Sequence, residues 1–337
     1  MLRWLITGLG FVLAPLAANA ETTARVLEFD TLSGWQDDDH AAALDVFQET
    51  CRLMDDAEWR NLCAFAATGP DAKNFFELFF RPVLIEDGSP ALFTGYFEPE
   101  LFGSRSRNGQ YRYPLYRKPP AEYVNLTRKE IDQSSLLSGL AIAWVDNPVD
   151  VYYLQIQGSG RVRLTDGSAI RVGYGGENGH PNRSIAQELI NRGIMKRSEA
   201  SNARIRSWFN RNPSLGQEIL WTNPSYVFFR KVSVPGNKGP RGAMNRSITA
   251  LRSLAVDPRY IPLGAPVWME KSGRLALKRL MVAQDTGAAI KGAQRADVFF
   301  GTGAAAGEIA AQTNDAGRMV VLMPIQTAFA IAPDWAE

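Results

Sequence analysis

Histidine is nearly absent from this chain: among 337 residues only His40 and His180 occur, far apart. Metal centres built on imidazole need several histidines close together, so a His-rich site is excluded. No set of carboxylates assembles into an all-oxygen alternative, and no cofactor motif is present. Cysteine is equally scarce, with Cys51 and Cys63 alone. Charge of one sign is also missing, since 37 basic residues face 35 acidic ones for a net +2. That balance leaves no electrostatic footprint for nucleic acid or for an anionic membrane. The longest apolar run, Leu5 to Leu16, is too short and wrongly flanked to span a bilayer.

That run reads instead as the core of a secretory leader over residues 1–20. Arg3 supplies the positive start and Ala18-Asn19-Ala20 the small-residue cleavage site, so the mature chain is expected to begin near Glu21. No cysteine stands at the cleavage point, so no lipid anchor is expected. In an oxidising compartment an even cysteine count favours a disulfide. Cys51 falls in an expected helix over Asp38–Met54 and Cys63 in another over Ala57–Ala66. A bond clipping this hairpin is expected over two buried free thiols, though both readings fit the spacing. Neither histidine has a sequence reason to sit beside a thiol, so catalysis by cysteine is not indicated.

The length suggests one large or two medium domains. Residues 38–82 read as helical, with the crowd of Phe75, Phe76, Leu78, Phe79 and Phe80 read as core packing. Leu92–Glu100 reads as a strand whose interior Gly95 marks a bulge or a close approach of ligand. Tyr111–Pro120 mixes aromatic and basic residues, which suits either a sugar-binding groove or a blunted edge strand. Thr127 and Glu130 have capping-box spacing for a helix to Leu137. Trp144–Gly160 and Arg161–Gly173 read as strands, the second a hairpin at Asp166-Gly167. In the first, Val151, Tyr153, Gln155 and Gln157 alternate with Tyr152, Leu154 and Ile156. Gln157-Gly158-Ser159-Gly160 fits neither a phosphate loop nor a hydrolase elbow, because no Gly-Lys-Ser/Thr follows and no histidine serves Ser159. Gly173–Pro181 reads as a loop, and helices follow from Ser184 to Arg192 and from Ser198 to Asn210. Beyond Tyr226 nearly everything looks like strand. The fold class expected is α+β, mainly β, with a helical N-terminal segment and a barrel or sandwich core.

The chemistry concentrates in Leu280–Gly292 and Arg295–Gly301. Asp285 ends an apolar run and Asp297 precedes another, with Gly287, Gly292 and Lys291 between or beside them. One aspartate of this kind is ordinary turn chemistry; two suggest a carboxylate active site. Glycosidic cleavage needs one carboxyl held protonated, which burial and a second carboxylate would achieve. An aspartic-protease dyad is disfavoured, because Ala288 follows Asp285-Thr286-Gly287 and no second such triplet exists. A wall-binding module that holds glycan without cleaving it is the third reading.

Thr94-Gly95-Tyr96-Phe97, Tyr113-Pro114-Leu115-Tyr116-Arg117, Gln157-Gly158-Ser159-Gly160, Gly176–His180 and Asn223–Phe229 follow one another in the chain. Asp257 through Ile261-Pro262-Leu263-Gly264, then Asp285–Gly292 and Ala296-Asp297-Val298-Phe299, complete the series. In this order, over residues 30–323, the chain resembles the membrane-bound lytic murein transglycosylase A family with its three-aspartate domain. The resemblance implies a double-psi β-barrel from residues 21–103 plus 231–337, with a smaller β-domain inserted at 104–230. It implies non-hydrolytic cleavage between N-acetylmuramic acid and N-acetylglucosamine of peptidoglycan glycan strands, leaving 1,6-anhydro ends. Asp297 then matches the acid and base, Asp285 the supporting carboxylate, and Asp257 a more structural third member. Thr94, Gly95, Tyr96, Tyr116, Gln157, Gly158, Ser159, Gly287 and Lys291 are the expected substrate-binding positions. The family's lipidated cysteine is missing here, so a soluble periplasmic enzyme is expected, with outer-membrane association resting on analogy alone.

Overall fold

A computed structural model describes residues 22–234 and 238–332; the expected leader lies outside them. The first part of the chain contributes strand β1 (Thr23–Val26), helices α1 (His40–Cys51), α2 (Ala57–Ala66) and α3 (Ala72–Phe79), then β2 (Phe80–Glu86) and β3 (Leu92–Glu98). Each helix starts on an aspartate, Asp39, Asp56 or Asp71, whose carboxylate accepts an N–H of the first turn. The middle supplies β4 (Glu100–Ser104), β5 (Tyr113–Tyr116), α4 (Arg128–Gln133), β6 (Ala141–Val145), α5 (Pro148–Gln157), β7 (Gly160–Leu164) and β8 (Ala169–Glu177). It continues through α6 (Ile185–Asn191), α7 (Asn202–Arg211), α8 (Pro213–Trp221) and β9 (Val227–Val232). The last part holds β10 (Ser253–Val256), β11 (Pro266–Lys271), β12 (Leu277–Asp285), β13 (Arg295–Thr302), α9 (Ala304–Gln312), β14 (Asn314–Asp315), β15 (Gly317–Pro324) and α10 (Ile325–Ile331).

These strands form two sheets. Nine of them run in the order β1-β2-β15-β11-β12-β10-β13-β3-β14, a nearly closed, barrel-like sheet joining both ends of the chain. Six run in the order β5-β6-β4-β7-β8-β9. The larger sheet and α1–α3 share one core, in which Phe47, Phe75, Phe76 and Phe80 pack against one another and Trp268 against Trp35. The fold is thus mixed and mainly β, as expected. Of the crowded segment, Phe75, Phe76 and Phe80 are core and Phe79 is half-buried against them, while Leu78 faces out.

Three local expectations fail. Residues 148–157 are not strand but helix α5. Asn147 accepts the Val149 N–H, Pro148 sits in the first turn, and Gly158 ends the helix in the left-handed region at φ 74°. Residues 173–177 are not loop, because β8 continues to Glu177 and pairs with β9 across a bulge near Gly175. Helices α9 and α10 interrupt the stretch after Tyr226 that looked uniformly extended. The Thr127 capping box does form, although its helix stops at Gln133.

Cys51, at the end of α1, is bonded to Cys63 in α2. Closing a loop of this size stabilises by about 3 kcal/mol on the chain-entropy account. The Cys51→Ala/Cys63→Ala double variant is therefore expected to lose roughly 2–3 kcal/mol in urea unfolding. A loss below about 1 kcal/mol would mean that packing alone holds the hairpin.

Candidate active site

Four adjacent strands bring the carboxylates together. β10 lies between β12 and β13, and its Ala255 is registered with Asp285 on one side and Asp297 on the other. On the far side of β13, Thr94 of β3 is opposite Asp297. Neighbouring strands lie about 4.8 Å apart, so the two aspartate backbones are about 10 Å apart with their side chains on one face. Tyr96 shares that face with Thr94, two residues on. Its ring packs on Phe299 at 5.2 Å and its hydroxyl donates to Asp285 Oδ2 at 3.0 Å.

The two carboxyls are held differently. Asp285 Oδ1 accepts the backbone N–H groups of Ala243 and Thr286, both at 2.9 Å, while Oδ2 takes Tyr96. Asp297 Oδ1 accepts the Thr94 hydroxyl at 2.7 Å. Among the described residues no group donates to its Oδ2. Burial pushes both carboxyls above their ordinary range, against the hydrogen bonds that favour the anion. At Asp285 three donors oppose burial and nearby Asp297 reinforces it; at Asp297 only Thr94 and the Arg295 charge oppose it. Two interacting carboxyls titrate as a pair. Asp285 is the better hydrogen-bonded of the two anions, and Asp297 keeps one oxygen without a donor among the described residues. Tyr96, buried beside both, is held well above its usual value and stays a phenol, a donor.

Arg295 completes the arrangement. Its Nη2 donates to Thr94 Oγ1 at 2.9 Å, so the single hydroxyl proton of Thr94 must point at Asp297. The only sequence signal for this residue is that a strand position two before Asp297 shares its face. Asp257 takes another part. Fully buried, it pairs with Arg259 at 2.5 Å and accepts the Gly292 N–H at 2.9 Å. The Arg259 hydrogen bonds hold its carboxyl far below the ordinary range. It is a fixed anion that anchors the turn after Asp285 and has no proton to give.

The other expected positions divide. Gly95 faces away from a ligand, because a Cβ there would meet the Phe300 ring and lie 2.8 Å from the Ala310 backbone of α9. Gln157, Gly158 and Ser159 form the end of α5 and the approach to β7. They lie beside β3, since Arg161 N donates to Pro99 O at 2.9 Å, but no hydrogen bond joins them to either aspartate. Gly287 packs under Ile290. Lys291 is exposed and forms no ion pair or hydrogen bond among the described residues. The amides that hold Asp285 come from Ala243 and from Thr286, next to Gly287. Tyr116 is buried with Ile131, Leu137, Tyr226 and Phe228 under the smaller sheet, apart from the carboxylates.

Comparisons with known proteins show what the chain is similar to. A family model described as "MltA specific insert domain" matches residues 92–230, and one described as "3D domain" matches 252–323. The curated "Membrane-bound lytic murein transglycosylase A" of Escherichia coli K12 is 36% identical over 241 residues. That match takes in 68% of this chain and 65%, just under two thirds, of the relative's length. The crystal structure of MltA from Neisseria gonorrhoeae superposes with a TM-score of 0.82 at 31% identity, covering 91% of this chain and 95% of that one. E. coli MltA with bound chitohexaose superposes with a TM-score of 0.70 at 29% identity, covering 85% and 89%. The chain belongs to the membrane-bound lytic murein transglycosylase A (MltA) family.

Proposed function

We propose that the chain cleaves the β-1,4 bond between N-acetylmuramic acid and N-acetylglucosamine in peptidoglycan without water. Asp297 gives its proton to the leaving oxygen. The muramyl C6 hydroxyl then attacks its own anomeric carbon, returns a proton to Asp297 and closes a 1,6-anhydro ring. The observation that carries this reading is the unequal pair: one half-buried carboxyl with an oxygen that has no donor among the described residues, beside another whose oxygens are both engaged. A hydrolase needs its second carboxylate as base or nucleophile. Asp285, holding three hydrogen bonds, is poorly suited to either task. Its negative charge is suited to stabilising the oxocarbenium-like state. With the nucleophile tethered in the substrate, proximity replaces the missing catalytic group.

Glycan would lie across the face carrying Thr94, Tyr96, Asp285 and Asp297, between a barrel domain (21–103 plus 231–337) and an inserted domain (104–230). The bound chitohexaose of the E. coli relative, a chain of β-1,4 sugars, supports a polysaccharide ligand. The expected leader supports export to the periplasm, and the "membrane-bound" relatives an envelope enzyme. Among the described residues no helix is long and apolar enough to cross a membrane. The test is mass analysis of fragments released from murein sacculi. Anhydro ends are expected; reducing ends would indicate a hydrolase, and retention on intact sacculi a binding module.

A further inference from the structure

The smaller sheet contains a cavity of about 480 Å³ between β5 and β6 on one side and α4 and α8 on the other, built wholly from residues 107–226. Nothing in the reaction above uses it. Its wall holds Asp132, whose Oδ2 accepts Gln217 Nε2 at 2.9 Å and Trp221 Nε1 at 3.0 Å. Oδ1 has no partner among the described residues. Arg128, one turn earlier, attracts Asp132 but spends its own N–H groups on Gln155 and on the Asn223 and Ser225 carbonyls. Across the mouth, Arg107 stacks over Trp144 and Arg112 over Tyr113, each 5.8 Å from the ring centre. Among the described residues neither guanidinium has a carboxylate partner. The buried Ser134 Oγ on the same wall also lacks a hydrogen bond.

We propose that this cavity binds the zwitterionic end of a short peptide, of the kind that peptidoglycan carries on its sugars. An ammonium sits at Asp132 Oδ1, a carboxylate bridges Arg107 and Arg112, and the aliphatic part between them lies on Trp144 and Trp221. The choice between peptide and neutral sugar follows from charge. A saccharide would use the rings and hydroxyl but leave one carboxylate and two guanidiniums unmatched, while a zwitterion engages all three. The stacked guanidiniums are already oriented, so less freedom is lost when an anion arrives. This assignment rests on the reading that the chain acts on peptidoglycan and extends it from the glycan to the peptides.

Titration calorimetry on the whole protein tests it with the tripeptide Ala-Glu-Lys, its uncharged analogue N-acetyl-Ala-Gln-Gln-amide, and chitohexaose. The tripeptide is expected to bind, and the uncharged analogue to bind at least about tenfold more weakly. Asp132→Asn, which keeps the acceptor for Gln217 and Trp221, and Arg107→Gln/Arg112→Gln are each expected to weaken the tripeptide by about tenfold or more. Arg107→Gln/Arg112→Gln should leave the melting temperature unchanged, both variants should leave the turnover of peptide-free glycan unchanged, and Asp297→Asn should leave tripeptide binding intact. No tripeptide heat at millimolar concentration, affinity indifferent to Asp132→Asn, or loss of chitohexaose binding in that variant would each overturn the assignment. Wild-type protein that forms no anhydro ends would instead overturn the parent reading, so the two failures are distinguishable.

Discussion

Asp297→Asn is expected to lower the release of anhydro fragments by about 10³-fold or more, the scale of losing the one general acid. The same substitution is expected to make the protein more stable at neutral pH. Burial holds the Asp297 carboxyl above its ordinary value, so the folded state prefers it neutral. The stability contributed by that preference is complete below the unfolded value of about 3.9 and is lost as pH rises through the folded one. Asparagine is neutral throughout and still accepts from Thr94. The variant should therefore gain in urea midpoint at pH 7, with the gain closing as the pH falls toward 4. For the wild type, kcat/KM should fall about tenfold per pH unit above the pair's upper pKa, because the donor must be protonated at the start. A variant that kept activity, or lost it together with stability, would remove Asp297 from the acid role.

The second large effect lies at the seam between the sheets. Glu98 ends β3 and is fully buried, and it pairs with Arg171 of β8 at 3.1 Å while accepting the Thr302 hydroxyl at 2.8 Å. Burial outweighs the Arg171 charge and pushes the Glu98 carboxyl up, so the pair is no gain over an apolar contact. Removing one partner is costlier, since the other loses its nearest opposite charge at a largely buried place. Glu98→Ala or Arg171→Ala alone should destabilise by about 3–5 kcal/mol, and Glu98→Met with Arg171→Met should recover most of that. Urea unfolding of the three variants checks it. Single losses below about 1 kcal/mol, or losses that simply add, would contradict the account. The effect matters for function because β3 carries both this pair and the Thr94–Tyr96 contacts to the aspartates.

The two aspartates could be found from the chain because each is a carboxylate at the lip of an apolar run, an expensive placement that needs a reason. The unequal roles expected of them came only from the family resemblance, since the donors that fix Asp285 come from Tyr96 and Ala243, distant in sequence and brought together by the fold. Gly95 was misread because a glycine looks the same whether a ligand or a helix approaches it; here α9 does. Helix α5 was lost to a coincidence. Val151 to Gln157 alternates in the strand manner, while the stronger signals, Asn147 as cap, Pro148 in the first turn and Gly158 at the end, were on the page. Tyr116 was assigned to the glycan by its motif, yet motif order says nothing of which cavity a side chain reaches. Arg295 needed only the two-residue repeat of a strand to be noticed.

Cleavage without water requires that one particular carboxyl carry the proton. Carbon-13 NMR titration of the aspartate side chains, assigned through Asp285→Asn and Asp297→Asn, measures this directly. The prediction is that Asp297 titrates above the ordinary carboxylate range and is the last of the pair to ionise. An Asp297 that ionises first, with Asp285 retaining the shared proton, would contradict it.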